Sequence, residues 1–403
     1  MIRYIRNKQI RLIKSISLDF IRDSYIDKLL SPNRLVGLIG QRGVGKTTLL
    51  LQYLKMNYRA TEYLYFSADD IYIVNSSIYD IATEFVRLGG KVIVIDEIHK
   101  YKNWAIELKS IYDSFPELLI RFSGSSMLNI INEKYDLSRR VVIGQMGTLS
   151  FREYMKLANQ IELPILSFDE ILKEHTEISS TLALENPTLY REFLKYLQIG
   201  SYPFFIEDEI EYKNKLFNAL DKIIAEDIPS LNRIDYTHLG IFKKFIAKLI
   251  YAKVPYQVNI TELCKEFGVS HPTLNSYLNI LEETKIITPI RKYSTKVSKK
   301  PEKLLFGNSN ILYTFSDEFG VEVDIGTARE TYFVSCFQGV KPFQKVYYSD
   351  IGDFRVGDAI FEVGGKNKSF KQIKDMPNSF LVIDIDYTMS ERKIPLWLFG
   401  LMG

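Results

Sequence analysis

Eight residues near the start of the chain, Gly40-Gln41-Arg42-Gly43-Val44-Gly45-Lys46-Thr47, have the make-up of a loop that wraps phosphate. They match G-x-x-x-x-G-K-[ST]. The glycines let the backbone curl until successive N–H groups face one anion. Lys46 is placed for the β- and γ-phosphates, and the Thr47 hydroxyl for Mg²⁺. Thr48 is a spare hydroxyl beside it and completes the expected nucleotide-binding set. An apolar run, Leu35–Ile39, leads into the loop, and Thr48–Leu54 leaves it as a helix whose positive N-terminal end favours an anion.

A second chemical feature lies fifty residues on. Lys91-Val-Ile-Val-Ile-Asp96-Glu97 is a β-branched strand ending in two acids. Parallel sheets place their sites at the carboxyl ends of strands. Asp96 is then expected to hold Mg²⁺ through its water shell, and Glu97 to orient and deprotonate an attacking water. His99 follows and reads as a neighbour of the site rather than a reacting group. A third strand, Leu118–Phe122, ends in Ser123-Gly124-Ser125-Ser126 and offers a hydroxyl to the γ-phosphate or the water. Arg139-Arg140 precede a further strand, and one of them is available to stabilise transition-state charge, in cis or across a subunit boundary. The expected ligands are ATP and Mg²⁺.

These residues need elements to hold them. Glu62–Phe66 and Val141–Ile143 complete five strands alternating with helical segments, the pattern of a doubly wound parallel sheet in an α/β fold. An amphipathic helix is expected at about Ile16–Leu30. Residues 151–235 have helical periodicity and read as a helical lid. Ile260–Phe267, the turn Gly268-Val269-Ser270, and Pro272–Leu281 have the spacing of a helix-turn-helix, with Ser270 as N-cap. Ile286–Ile290 and Leu304–Phe306 follow as the strands of a wing. The second helix carries His271, Asn275 and Asn279 but no Arg or Lys, poor equipment for reading guanines. The wing is basic: Arg291, Lys292, Lys296, Lys299, Lys300 and Lys303 against Glu302, a set able to grip DNA phosphates without reading sequence. In the tail, Glu330, Asp353, Glu362 and Lys366 occur in the order of a metal-dependent PD-(D/E)xK nuclease core. Gly364-Gly365 are expected to bend or end their strand, which argues against cleavage.

Composition sets the frame. The chain has 403 residues, enough for several domains, with 46% hydrophobic and 25% charged residues and a net charge of +3, too small to argue for nucleic acid globally. No apolar stretch approaches the roughly 18 residues of a membrane span. The basic start lacks the apolar run of a signal peptide. Cys264 and Cys336 form no disulfide framework, and a cytoplasmic location is expected. The expected divisions are 1–30 (lead-in), 31–150 (P-loop core), 151–235 (lid), 236–315 (winged helix) and 316–403 (nuclease-like domain).

The stretches GQRGVGKTTLL, VIVIDEIHK, FSGSS, LSRR, LSFREY, GSYP, GVSHPTLNSYL, KPEKLLFGNSNILY, IGTARETYF, FEVGGKNKSFKQI and PLWLFG span residues 35–400. Through them the chain resembles bacterial and archaeal AAA+ ATPases that end in a conserved domain of unknown function, in the version common in Bacteroidetes-type bacteria. The resemblance implies an AAA+ type core, a helical lid, a winged helix and a restriction-endonuclease-like C-terminal domain, and it allows a homo-oligomer. It gives Lys46, Thr47, Asp96 and Glu97 the roles above. It places Ser125 in the sensor region and matches Arg140 to the arginine of a Gly-Arg pair, with Arg139 in the glycine's place. Lysine also comes two places late in Glu362-Val-Gly-Gly-Lys366. Two readings follow: an ATP-driven switch or machine acting on DNA, and a nucleotide-gated switch that binds protein.

Overall fold

The apolar runs read as strands pair in one parallel sheet. In the computed structural model, which describes residues 1–124, 137, 139–229, 238–252, 255–293, 300–339 and 344–402, the strands are β1 (Leu35–Ile39), β2 (Tyr63–Ser67), β3 (Val92–Asp96), β4 (Leu119–Gly124) and β5 (Val141–Gln145). Their order is β2-β3-β4-β1-β5, and every pairing is parallel. β1 and β3 are buried along their whole length, which is why they read as continuous apolar runs rather than alternating ones. Gly37 in β1 is required by space, since a Cβ there would meet the Phe122 ring at 2.3 Å. The order puts β4 between the P-loop strand and the acidic strand, a fact that decides the site below.

The α/β architecture matches the expectation; the lead-in does not. There are two helices before the sheet, α1 (Ile2–Ser15) and α2 (Asp23–Leu30), and not one at Ile16–Leu30. Ser17 and Asp19 explain the break. The Ser17 hydroxyl donates to Asp19 Oδ2 at 2.7 Å and accepts from the Asp19 N–H at 2.9 Å, local bonds that compete with helix. α1 is part of the core, with Ile2 and Ile5 packed in the same cluster as the sheet. Its Gln9 is fully buried and accepts the Tyr65 N–H at 2.8 Å. That side chain thereby occupies part of the open edge of β2, which would otherwise present unpaired backbone groups. Arg121 of β4, 1% exposed, donates to Leu29 O at 2.8 Å and Ser31 O at 3.2 Å and so ties down the C-terminal end of α2. The helix after the P-loop, α3, spans Lys46–Asn57, and α4 (Ile78–Arg87) and α5 (Trp104–Ser114) complete this part.

The chain divides into two compact units, Met1–Gly147 and Thr148–Gly403. The second begins with helices α6 (Phe151–Asn159), α7 (Phe168–Glu185), α8 (Leu189–Ile199) and α9 (Tyr212–Lys222). Ser150 with Glu153 and Ser167 with Glu170 form reciprocal capping boxes that start the first two. After α10 (Leu239–Tyr251) come α11 (Ile260–Phe267) and α12 (His271–Glu283), joined by the expected turn with Gly268 at φ +66°. β6 (Tyr256–Gln257), β7 (Ile287–Ile290) and β8 (Lys303–Phe306) form an antiparallel sheet in the order β6-β8-β7. Helices α13 (Ser309–Glu318) and α14 (Ile325–Ser335) lead to a mixed sheet of β9 (Val346–Tyr348), β10 (Phe354–Val356), β11 (Ala359–Gly365), β12 (Ser379–Asp384) and β13 (Lys393–Pro395). β11 ends at its glycines: Gly364 and Gly365, paired with Ile383 and Asp384 of β12, are its last residues, and Lys366 lies in the turn that follows. No helix among the described residues is long and apolar enough to cross a membrane.

Candidate functional site

The P-loop closes tightly because its glycines and neighbours allow nothing larger. Gly43 and Gly45 have φ of +83° and +95°, the left-handed region in which side chains clash. A Cβ on Gly40 would meet the Met146 carbonyl at 2.3 Å. Arg22, from the lead-in, donates to Gly147 O at 2.7 Å and Val44 O at 3.4 Å, bracing the loop from behind. No sequence signal distinguishes this arginine, whose role depends entirely on a contact 125 residues away. Lys46 is buried and donates to Gly40 O at 3.0 Å and Gln41 O at 2.8 Å. Its ammonium therefore lies across the concave side of the loop, on main-chain oxygens.

Asp96 is the hub. The Thr47 hydroxyl donates to its Oδ2 at 2.6 Å, and the Tyr65 hydroxyl to the same oxygen at 2.9 Å. Ser123 donates to Oδ1 in a very short bond, and the Glu97 N–H reaches both Oδ1 and the Ser123 oxygen at 3.2 Å. Burial and the adjacent carboxylate push the Tyr65 phenol strongly upward, so it stays a donor. Thr47 and Asp96 bring together one hydroxyl and one carboxylate, oxygen donors of the kind Mg²⁺ takes. Among the described residues no group of three or more His, Cys, Asp or Glu is arranged to hold a metal by itself. The residues suit Mg²⁺ arriving with a nucleotide and not an all-protein metal cage.

Glu97 follows at φ +51°, a left-handed conformation unusual for a residue with a side chain. Strain of this kind is of order 1–3 kcal/mol and collects at functional sites. His99, its side chain 2% exposed, places Nε2 3.5 Å from Glu97 Oε2. Thr47, Asp96 and Glu97 line a cavity of about 320 Å³ together with Tyr65 and Asp70. Two serines after Phe122 bear on this site: Ser123, at the end of β4, and Ser125, which the resemblance places in the sensor region. Ser125 lies outside the described residues, whereas Ser123 touches Asp96 directly. The signal was available in the pairing: β3 and β4 run parallel with Ile95 opposite Phe122, so the next residues, Asp96 and Ser123, face each other.

Arg140 is not at this site in its own chain. It precedes β5 at the amino end of the sheet, a strand's length of about 16 Å from the P-loop end. There it makes a two-pronged ion pair with Asp113, at 2.9 and 3.0 Å. Arg139 is beside it and exposed. Strand direction thus sets Arg140 at the end of the sheet away from its own P-loop.

The tail carboxylates also differ from expectation. Lys366 is exposed; it is Lys368 that reaches Glu362, at 2.6 Å. The glycines make this possible, because a Cβ on Gly364 would meet the Lys368 side chain at 2.8 Å. Lys303, expected to grip phosphate from the wing, is buried and contacts Glu330 at 2.6 Å and Asp353 at 3.8 Å. The reason is register: its place at the start of β8 turns it inward. Burial raises the Glu330 carboxyl to about 7 despite Lys303, and burial likewise raises Glu362. Of the other wing cations, Arg291 forks onto Glu282 at 2.9 and 2.7 Å and Lys292 pairs with Asp350. Lys300 is exposed, while Lys296 and Lys299 lie outside the described residues.

Comparison with known proteins agrees with the first site. Residues 32–155 match a family described as an AAA domain, and residues 190–319 a family described as a domain of unknown function. The second match runs across the division expected at residue 235. An uncharacterised protein of Methanocaldococcus jannaschii is 27% identical over 379 residues, covering 87% of this chain and 79% of that protein. Among solved structures, the Walker-type ATPase of Pyrococcus abyssi aligns with 13% identity and a TM-score of 0.42, over 73% of this chain and 95% of that one. The ADP complex of Hsp104 from S. cerevisiae aligns with 16% identity and a TM-score of 0.33, over 69% and 41%. The P-loop, the acidic pair and the parallel sheet all lie in the stretch, residues 32–155, that matches an AAA domain.

Proposed function

We propose that the protein binds ATP with Mg²⁺ and hydrolyses it, and that the second unit turns the nucleotide state into binding of a partner. One observation carries this reading: Asp96 is held at once by Thr47 of the phosphate-loop helix, Tyr65 of β2 and Ser123 of β4, with Glu97 next to it. Phosphates enter the P-loop and Lys46 exchanges its main-chain oxygens for phosphate oxygens. Thr47 and Asp96 would hold Mg²⁺, which when bound would supply charge neutralisation at the transferring group. Glu97, steered by His99, orients a water and takes its proton. Ser123, or Ser125 beyond it, fixes the acidic strand against the phosphate. Arg140 acts, if at all, across a boundary in a homo-oligomer, its face being remote from its own P-loop. Two variants test this. Lys46→Ala should abolish nucleotide binding, whereas Glu97→Gln should retain ATP with Mg²⁺ and slow hydrolysis at least about a hundredfold. Unchanged ATP affinity in the first, or near-normal turnover in the second, overturns the reading.

The arrangement of α10 to α12 with the β6-β8-β7 sheet supports reading residues 236–315 as a winged helix, and the helices of 151–235 as a lid. The order of α14, β10 and β11 with Glu330, Asp353 and Glu362 supports a nuclease-like tail. Yet Arg291, Lys292 and Lys303 are engaged by carboxylates of the same chain, and the exposed positions of α12 are His271, Pro272, Asn275, Ser276 and Asn279. That favours a protein partner over DNA, and a tail that does not cut. The test is ATP turnover with and without duplex or single-stranded DNA at low salt. Stimulation that falls steeply with salt would restore the DNA reading, with Lys296, Lys299 and Lys300 as the phosphate contacts.

A further inference from the structure

The cavity beside Thr47, Asp96 and Glu97 is not bounded by the sheet alone. Its far wall is α1, which contributes Tyr4, Ile5, Lys8 and Leu12. Lys8 is the one cation among the described residues that line it; the charged groups otherwise lining it are the carboxylates of Asp70, Asp96 and Glu97. The Lys8 ammonium contacts Asp70 Oδ2 at 2.6 Å, and the Tyr4 hydroxyl donates to the same oxygen at 3.2 Å. The Lys8 side chain is half exposed while that of Asp70 is 4% exposed, so the lysine is the movable partner.

The helix that carries Lys8 is registered against β2, the strand beside the acidic one. Gln9, the next residue, accepts the Tyr65 N–H at 2.8 Å, and the Tyr65 hydroxyl in turn donates to Asp96. α1 is thus two side chains away from the metal-holding carboxylate. A triphosphate whose γ-group lay beside Thr47 would face Asp70, Asp96 and Glu97. Mg²⁺ answers Asp96, and Glu97 needs its charge to act as a base. The cavity holds about ten times the roughly 30 Å³ that one water claims, room for a phosphoryl group and a water.

We propose that Lys8 is a further catalytic residue: a cation of the same chain, held on Asp70, that moves onto the γ-phosphate when ATP binds and stabilises the charge that develops there. This rests on the ATPase reading and adds to it a γ-phosphate sensor in the N-terminal helix, which the lead-in sequence had not suggested. Lys46 is placed in the loop for the β- and γ-phosphates together; Lys8, which shares its cavity with Thr47, Asp96 and Glu97 and not with the loop before them, meets the γ-group alone. ADP therefore offers it no partner, and the Lys8 side chain leaves Asp70 only for ATP.

The experiment compares Lys8→Gln, Lys8→Arg and Asp70→Asn in the full chain. Nucleotide affinities are measured in a Glu97→Gln background by titration with fluorescent ATP and ADP, and kcat in the otherwise native protein. Expected is a kcat loss on the order of tenfold to a hundredfold for Lys8→Gln, a fall in ATP affinity without a matching fall for ADP, and recovery in Lys8→Arg. Asp70→Asn should bind ATP more tightly, because it releases the lysine. If the Lys8–Asp70 pair only pins α1, Lys8→Gln and Asp70→Asn will lose activity together, and ATP and ADP will weaken alike; that result overturns the proposal and leaves the ATPase reading intact. A native protein that binds neither nucleotide overturns both.

Discussion

Ser123→Ala is the sharpest probe of the site, because it removes one oxygen and little else. Ser123 is fully buried, its hydroxyl donating to Asp96 Oδ1 and accepting from the Glu97 N–H. Alanine keeps the backbone and strand pairing, and Asp96 retains its bonds from Thr47 and Tyr65. A hydrogen bond to a charged group contributes about 1.5–3 kcal/mol. Expressed wholly in the transition state, at about 1.4 kcal/mol per factor of ten, that is a loss of roughly tenfold to a hundredfold in kcat. ATP affinity should change little, since the phosphate contacts lie in the P-loop. The assay is steady-state phosphate release over a range of ATP and Mg²⁺ concentrations, with Ser125→Ala run beside it. If Ser123→Ala keeps kcat within twofold while Ser125→Ala abolishes turnover, the pairing of β3 with β4 has been misread as function. The resemblance-based assignment would then hold instead.

Tyr65→Phe removes the second hydroxyl from Asp96, so the Mg²⁺ concentration giving half-maximal turnover should rise severalfold; an unchanged Mg²⁺ dependence would count against Asp96 as the metal carboxylate. Arg140→Ala should leave ATP affinity intact and cost little stability, about 0–1 kcal/mol for a partly exposed ion pair. If it acts across a subunit boundary, mixing it with Lys46→Ala should restore turnover that neither variant has alone, and no recovery refutes action in trans. Glu330, with its carboxyl raised to about 7 by burial, holds a proton in the folded state that the unfolded chain gives up near its ordinary value. Its contribution to stability is therefore present at low pH and lost as pH rises through the interval up to about 7, by about 3 kcal/mol at most. Urea unfolding at pH 5 and pH 8 should show wild type losing stability relative to Glu330→Gln; parallel behaviour of the two proteins would place the shift elsewhere.

Some of this was decided by local sequence alone. Gly40–Thr47 forms its loop because Gly43 and Gly45 tolerate left-handed dihedrals and Gly40 leaves room for the Met146 carbonyl, and β3 stops at Asp96 because a buried apolar strand ends where charge begins. The helices either side of Gly268 follow from an N-cap, a left-handed glycine and their apolar periodicity. All three features depend on contacts a few residues apart, which a linear reading can follow. What the tertiary structure decided depends on pairings that sequence distance hides. Inserting β4 between β1 and β3 brings Ser123 to Asp96, and the direction of β5 carries Arg140 away from the P-loop. The register of β8 turns Lys303 from a surface cation into a buried partner of Glu330, and the glycines that end β11 leave room for Lys368, not Lys366, to reach Glu362. The packing of α1 on the edge of β2 sets Lys8 at the rim of the site. A side chain's type is written in the sequence, but which charge it meets is fixed only when strands choose their neighbours.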